Sequence, residues 1–446
     1  MDLYFCDGLN QIYSGRFNLD AMYEHITDSG LIRCCNDSIY IYYKNEGRYI
    51  KIDKQNEWHV ISRLFSEKIR KTILPKQVNE LISRIKNTAD IQVHIDEFNK
   101  YENMINIRSG VLEYETLRLY EKSPKYMFTY CLNVEYTVSE KMPYFNYFCK
   151  TSLEGDEKKK ELLLQIIGYL CTPLMTAKKC FVFLGAPNSG KSMMLHLIES
   201  IFGEELISNI QLENLSGRFS AGILSTKRLN VCAELSARPL KNIEMFKLIV
   251  GGDTLSGEYK GKDVFRFKNK CKLLYAGNML PPIKNEDITT AFIDRLTVLR
   301  FNCSIPKNKR INNLDELLIK EIDSIFSEAI RTVSKLINNG CEFIEPNDTA
   351  ELMKDYSFQQ NNIDIFVDEW CDVGESLRVH SAVLYNAYKK FCTENAINAI
   401  SQNLFSQKIN TVKGVTNGRF RLNGGNPIRG FYGINIKGMY VQDSEK

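Results

Sequence analysis

Apolar residues along this chain keep two rhythms, and the places where one gives way to the other mark out its elements. The aromatic run Ile39-Tyr-Ile-Tyr-Tyr43 reads as a strand, and helix-spaced apolar positions predict helices over 58 to 72 and 76 to 87. From about 100 to 150 the chain is rich in Tyr, Phe and turn residues and shows no period. Lys158-Lys-Lys160 then opens a helical pattern through Leu162, Ile166, Ile167 and Leu170. Three short strand-like runs follow, Cys180-Phe-Val-Phe-Leu184, Leu229-Asn-Val-Cys-Ala233 and Lys272-Leu-Leu-Tyr-Ala276. The first has the unbroken apolar character of a strand buried on both faces. Near the C-terminus, Val383, Leu384, Ala387, Tyr388 and Phe391 share one face of a helix beginning at Ser381, and a second helix begins at Ser401. Asn417-Gly418 and Gly424-Gly425 punctuate strand-like pieces that end at Ile434.

Length and composition narrow the class. A chain of 446 residues with 44% hydrophobic and 25% charged residues is an ordinary folded protein of about three domains. Its 58 Lys and Arg against 54 Asp and Glu leave a net charge of +4, which says something about partners only if the charge is clustered. Thirteen cysteines without a Cys-x-x-Cys, and five histidines far apart, point to reduced thiols rather than to disulfides or a zinc site. No apolar stretch approaches the roughly 18 residues that a membrane span needs, and the acidic start lacks a secretory flank, so a cytoplasmic protein with no membrane partner is expected.

The chemistry is concentrated after the first of the three runs. Gly185-Ala186-Pro187-Asn188-Ser189-Gly190-Lys191-Ser192 matches a phosphate-binding loop, with a strand before it and a helical pattern over 193 to 202 after it. Glycines let backbone amides turn around phosphates, a helix N-terminus adds positive potential, Lys191 reaches the outer phosphates, and Ser192 can ligate Mg²⁺. The expected ligands are therefore ATP and Mg²⁺. Glu234 ends the second run, where a carboxylate can hold the Mg²⁺ shell or orient an attacking water. Ala233 stands where many such enzymes have a second acid, so the two duties are not divided. Asn278, just past the third run, suits a polar sensor at the tip of a strand lying between the other two. Arg295 follows, placed to act on a neighbouring subunit's nucleotide, with Arg300 as its competitor. Lys260 and Lys262 with Tyr259 sit near the tip of a glycine-rich hairpin, within a basic block over 259 to 272 that could grip a phosphate backbone. Edge-strand lysines that deter aggregation are the plainer alternative.

The order of these blocks resembles the superfamily-three helicases, in particular the poxvirus-type primase-helicase family found in phages, plasmids and mobile islands. The phosphate loop in its Asn188 form, Arg228-Leu-Asn-Val-Cys-Ala-Glu234, Lys247-Leu-Ile-Val-Gly-Gly-Asp253, the run from Lys272 through Asn278 to Pro281, and Phe292-Ile-Asp-Arg-Leu296 carry the likeness. Met104-Ile-Asn-Ile-Arg-Ser-Gly-Val-Leu-Glu-Tyr and Pro143-Tyr-Phe-Asn-Tyr-Phe148 extend it upstream. It spans about 100 to 446 and is strongest over 180 to 300. The resemblance implies an α/β fold, with an AAA+-like P-loop ATPase core and a helical collar before it. It also implies a homo-hexameric ring, Arg295 acting in trans, hairpin lysines in the pore and 3′ to 5′ translocation.

The C-terminal stretch has its own pattern: two helices followed by a glycine-turned ribbon outline a winged helix. Lys408, Lys413, Arg419, Arg421 and Arg429 fall within it, and 401 to 440 contains no acid. The expected domains are an N-terminal α+β module (1–95), a pre-helicase collar region (96–175), the ATPase core (176–305), a helical connector (306–360) and the winged helix (361–446). The expected function is an ATP-dependent replicative DNA helicase acting on single-stranded and forked DNA. The alternative is an origin-binding or primase-accessory protein whose ATPase serves loading or assembly. Only about 95 residues precede the recognisable region and no Asp-x-Asp pair occurs. Priming is thus expected from a separate primase or initiator partner.

Overall fold

The computed structural model describes residues 19–438, apart from 66, 72, 140, 237–242, 262, 283–290, 305–310, 361, 396, 398 and 422–425. Contacts divide the chain into two compact units. Of the described residues, those within 1–238, 243–281 and 295–346 form the first, and those within 282–294 and 347–446 the second.

In the first unit, helix α1 (Leu19–Asp28) leads into an antiparallel meander of β1 (Ile32–Cys35), β2 (Ser38–Tyr43) and β3 (Arg48–Lys51). The tight β1–β2 turn places Asn36 and Asp37 at positive φ, as a two-residue hairpin loop requires. β2 is apolar at successive positions because both its faces are covered. Ile39 and Ile41 meet α1, α2 (Glu57–Arg63) and α3 (Pro75–Asn87) in one core, whereas Tyr40 and Tyr42 join Tyr49, Phe98 and Met127 in another. The helix expected over 58 to 72 resolves into α2 and a separate single turn, Glu67–Arg70, with Leu64 and Phe65 buried after α2 ends.

The turn-rich stretch after 100 holds a second meander, β4 (Met104–Ile107), β5 (Gly110–Glu113) and β6 (Arg118–Tyr120). Strands of three or four residues are too short to display a period, which is why the sequence pattern missed them. The buried Asn106 side-chain amide joins the two meanders, donating to the carbonyls of Glu46 (2.9 Å), Gly47 (3.2 Å) and Tyr130 (2.7 Å).

Helices α4 (Pro143–Ser152) and α5 (Glu157–Cys171) then lead to a five-stranded parallel sheet. Its strands are β7 (Cys180–Gly185), β8 (Ile207–Ser208), β9 (Leu229–Cys232), β12 (Lys272–Gly277) and β13 (Leu296–Phe301), in the order β13-β7-β12-β9-β8. β12 lies between β7 and β9, the position the polar sensor needs. Asp156 caps α5 by accepting from the backbone N–H groups of Lys158 and Lys159, and every residue from Leu162 to Cys171 is buried. One neighbour is α10 (Ile322–Asn338), which follows α9 (Leu314–Lys320). Its Ala329 carbonyl comes so close to Gly168 that a Cβ there would lie 2.3 Å from the oxygen. Between β9 and β12 run α8 (Glu244–Gly251) and a two-stranded ribbon, β10 (Thr254–Gly257) with β11 (Phe265–Lys268). α6 (Lys191–Phe202) and α7 (Ser220–Leu224) complete the elements used below.

The second unit contains α11 (Asn347–Gln360), α12 (Asn362–Trp370), β14 (Cys371–His380), α13 (Ser381–Glu394), α14 (Gln402–Ile409), β15 (Thr416–Phe420) and β16 (Ile428–Ile436). The strands form one antiparallel sheet in the order β14-β16-β15, packed on Phe366, Tyr388, Phe391 and Phe405. The sequence pattern gave neither α12 nor β14. It also read Asn417-Gly418 as a turn, but both residues lie within β15, opposite Phe431 and Gly430. Gly418 is there because the Tyr432 ring occupies the space of a Cβ, 2.2 Å away. Gly424-Gly425 lies outside the described residues.

Candidate active site

The phosphate loop begins where β7 leaves the sheet. Gly185 pairs with Phe301, and a Cβ at Gly185 would lie 2.1 Å from the Phe301 carbonyl oxygen, so the last strand residue must be glycine. The chain then turns through Asn188 at φ +63° and Gly190 at φ +100° into α6. A Cβ at Gly190 would lie 2.6 Å from Ser152 Oγ and 2.8 Å from the Phe148 ring. α4 therefore braces the loop from outside. Ala186, Pro187 and Asn188 are exposed, and Ser189 is buried.

Lys191 Nζ lies inside the loop, donating to the carbonyls of Gly185 (2.6 Å) and Ala186 (2.8 Å), with Ser189 Oγ at 3.4 Å. Burial holds its ammonium below the usual lysine range. Ser192, one residue into α6, exposes its side chain at the positive end of the helix. Two further tips reach the same place. β12 is in register with β7 through Gly277↔Leu184 and with β9 through Tyr275↔Cys232. The Leu235 amide donates to the Ala276 carbonyl at 2.8 Å, holding the segment that carries Glu234 beside the end of β12. A cleft of about 740 Å³ results, lined by 187 to 193, Glu234, Asn278, Tyr147, Ile311 and Leu314. Lys191, Ser192, Glu234 and Asn278 are thus brought together, although about 90 residues separate the first from the last.

Tyr147, Ile311 and Leu314 were not singled out from the sequence. Tyr147 belongs to the aromatic run Pro143–Phe148, which carried the family likeness but no assigned role. Ile311 and Leu314 lie next to a segment outside the described residues and bear no chemical signal beyond being apolar.

Arg295 is not among the cleft residues. Its carbonyl accepts from the Cys180 amide (2.7 Å), and β13 runs parallel to β7 from Leu296↔Cys180 to Phe301↔Gly185. The start of β13 is therefore about 17 Å of strand from its own phosphate loop. Arg300 pairs opposite Leu184, at the loop end of the same strand.

The basic block over 259 to 272 divides on folding. Lys260 is exposed in the β10–β11 turn, and Lys262 lies outside the described residues. Tyr259 stacks on Phe265 (5.1 Å between centroids), and its hydroxyl lies 2.9 Å from Ser225 Oγ, which anchors the turn to α7. Arg266 is exposed and Lys268 is 3.7 Å from Glu102. Lys270 donates to the Asn99 carbonyl at 2.6 Å, and Lys272, only 2% exposed, donates to the Thr172 carbonyl. Part of the block that could grip a phosphate backbone is consequently internal, at Lys270 and Lys272.

In the second unit, Lys413, Arg419, Arg421 and Arg429 are exposed and Lys408 is half-buried on α14. Arg419 and Arg429 stand directly opposite each other across β15 and β16. Like charges in that position repel, and a bound polyanion would relieve them.

Three stretches match family models: D5 N terminal like over 20–154, a family of unknown function (DUF5906) over 183–295, and Poxvirus D5 protein-like over 359–427. The first begins well before residue 100, where the sequence likeness starts. A helicase-named protein of Acanthamoeba polyphaga mimivirus, L207/L206, is 25% identical over 243 residues, which are 50% of this chain and 25% of that protein. The chain spans about a quarter of the length of this curated relative. Two apo structures of the NrS-1 C-terminal region superpose with TM-scores of 0.55 and 0.54 at 14% and 15% identity. They cover 94% and 92% of this chain, and 100% and 98% of their own chains, so the likeness in fold is nearly end to end. No helix among the described residues is long and apolar enough to cross a membrane. With D5-type stretches on either side of a phosphate-loop sheet in the sequence and a helicase-named viral relative, the chain is similar to the poxvirus D5-like primase-helicases of phages and viruses.

Proposed function

We propose that the protein is an ATP-dependent, ring-forming replicative DNA helicase that moves 3′ to 5′ on single-stranded DNA in the cytoplasm and unwinds forked duplex for a mobile element. The observation that carries this reading is the convergence of Lys191, Ser192, Glu234 and Asn278 on one cleft at the carboxyl ends of three adjacent strands. The donor set fits a magnesium nucleotide. Loop residues 187 to 190 and the α6 N-terminus line the cleft, the Lys191 ammonium can leave loop carbonyls for phosphate oxygens, and Ser192 and Glu234 offer oxygen ligands to a hard cation. Bound Mg²⁺ would supply charge neutralisation between the outer phosphates.

In this reading Lys191 holds the outer phosphates, Glu234 orients a water in line, and Asn278 senses the outermost phosphate from the strand between them. Arg295 serves the next subunit of a homo-hexamer. The second unit, with α12, α13 and α14 against a three-stranded sheet, acts as a winged helix whose opposed arginines meet DNA phosphates. The helices before the ATPase sheet form the collar, and priming is left to a separate primase or initiator.

The test is ATP turnover with and without single-stranded DNA. DNA is expected to raise turnover of the wild type, and Lys191→Ala to lower it on the order of 100-fold, the scale for removing a preorganised positive group from a transferring phosphoryl. Turnover indifferent to both would sink the helicase reading.

A further inference from the structure

A second opening in the first unit, of about 560 Å³, lies among β2 and β3, the 95–102 segment, the turn before β9 and the end of β11. Its most buried charged groups are cations. Arg228 is 7% exposed, with its guanidinium 4.4 Å above the Tyr130 ring, and no carboxylate among the described residues is within ion-pairing distance of it. Among the described residues Lys270 donates to the Asn99 carbonyl, and the buried Lys272 stands behind them on the Thr172 carbonyl. The Tyr130 hydroxyl, buried in the same wall, has no hydrogen-bond partner among the described residues. The acids of the opening lie close to other groups as well: Glu205 is 2.5 Å from Arg48, Glu102 is 3.7 Å from Lys268, and Asp96 is 3.1 Å from His94 Nδ1.

Three cations held together on carbonyl oxygens and aromatic faces repel one another in a poorly solvated place, and Glu102 and Asp96 offset that only in part. Burial first, and the neighbouring Arg228 after it, depress the Lys270 ammonium to about 8 against the opposite pull of Glu102 and Asp96. An anion with several oxygens would meet the guanidinium fork and the ammonium together, and phosphate has that shape. The opening also adjoins Phe267 and Lys268 of β11, the strand that follows the Lys260 turn.

We propose that this opening is a second phosphate-ester site, separate from the phosphate-loop cleft, in which Arg228 and Lys270 hold a backbone phosphate of a single nucleic-acid strand. The cation cluster does not depend on the proposed function, whereas assigning the phosphate to a strand rests on the helicase reading.

The test uses the full chain carrying Lys191→Ala, which removes the loop's own cation. Inorganic pyrophosphate is titrated by thermal shift and a labelled oligothymidylate by fluorescence anisotropy. Both are expected to bind, and adding Lys270→Gln should weaken both roughly ten-fold while leaving the ligand-free melting temperature unchanged or higher. Arg228→Lys, which keeps charge but loses the fork, should weaken both several-fold at an unchanged melting temperature. If Lys270→Gln lowers the ligand-free melting temperature and neither affinity moves, the cations are structural and the site is overturned. If only pyrophosphate weakens, the occupant is a free phosphate compound and the strand assignment falls. DNA-stimulated turnover with Lys191 intact separates the two readings, because it can persist when the site fails and vanish when the site holds.

Discussion

Gly190 stands at φ +100° with Ser152 Oγ and the Phe148 ring where a side chain would begin, so an added methyl meets backbone strain and a steric wall together. Gly190→Ala is expected to cost about 1–3 kcal/mol in stability and to displace the loop amides. A thermal melt should show the first effect and loss of ATP turnover the second. The motif Gly-x4-Gly-Lys-Ser made this glycine legible in the sequence, but the bracing α4 was not, since nothing in the spacing announces that Phe148 and Ser152 press on a loop about 40 residues away. Lys270 shows the converse. In the sequence it is one of six basic residues in a row of surface-like charges; in the fold it is half-buried, facing Arg228 and Lys268 of like sign and Glu102 and Asp96 of opposite sign. Its folded value of about 8 lies below the ordinary 10.5. Between those values the unfolded chain holds a proton that the folded chain has released, so this group makes stability rise with pH across that window and contributes no slope below pH 8. Urea midpoints at the two ends of the window should therefore rise more with pH in wild type than in Lys270→Gln, and equal rises would show that Lys270 titrates normally.

At the scale of elements, α5 is where sequence pattern and packing agree on the helix but not on its reason. Leu162, Ile166, Ile167 and Leu170 announce one apolar face, yet the helix is buried on every side from Leu162 to Cys171, and the residue that permits this is Gly168. Its missing side chain lets the α10 backbone approach at Ala329, with Val333 Cβ 2.8 Å from the place of a methyl. Helix propensity alone says Gly168→Ala should stabilise by about 1 kcal/mol. Packing says the methyl overfills the contact by about 1–3 kcal/mol, and we expect packing to win, with a lower melting temperature. The same contrast explains the strands. β7, β9 and β12 were legible because each is a run of apolar residues ended by a polar or glycine signal. The β4–β6 meander and β14 were not: strands of three or four residues show no alternation, and β14 mixes exposed and half-buried positions with a register shift between Val373 and Arg378. The β10–β11 ribbon was legible as a hairpin, whereas the inward turn of Lys270 and Lys272 depended on contacts with Asn99 and Thr172, which no local pattern encodes.

At the scale of the whole molecule, the question left by the cleft is what completes it. Lys191, Ser192, Glu234 and Asn278 meet within one chain, but Arg295 is anchored at the opposite end of β13, about 17 Å along the strand from the loop it would serve in the same subunit. An arginine tied by its carbonyl to the start of β7 cannot travel that length without unpairing the sheet, so a catalytic role for it requires another subunit's cleft. This separates it from Arg300, which sits opposite Leu184 at the loop end of the strand. Mixing two inactive variants decides between them. Lys191→Ala subunits keep Arg295 but have a disabled cleft, and Arg295→Ala subunits have an intact cleft but offer no arginine. In a ring assembled from equal amounts, about a quarter of interfaces join an intact cleft to an intact arginine, so turnover should return to a measurable fraction of wild type in the mixture and in neither variant alone. Arg300→Ala mixed with Lys191→Ala is the internal comparison. Rescue confined to the Arg295 mixture assigns the trans arginine, rescue confined to the Arg300 mixture transfers the role, and silence in both means that each subunit works with the groups of its own cleft.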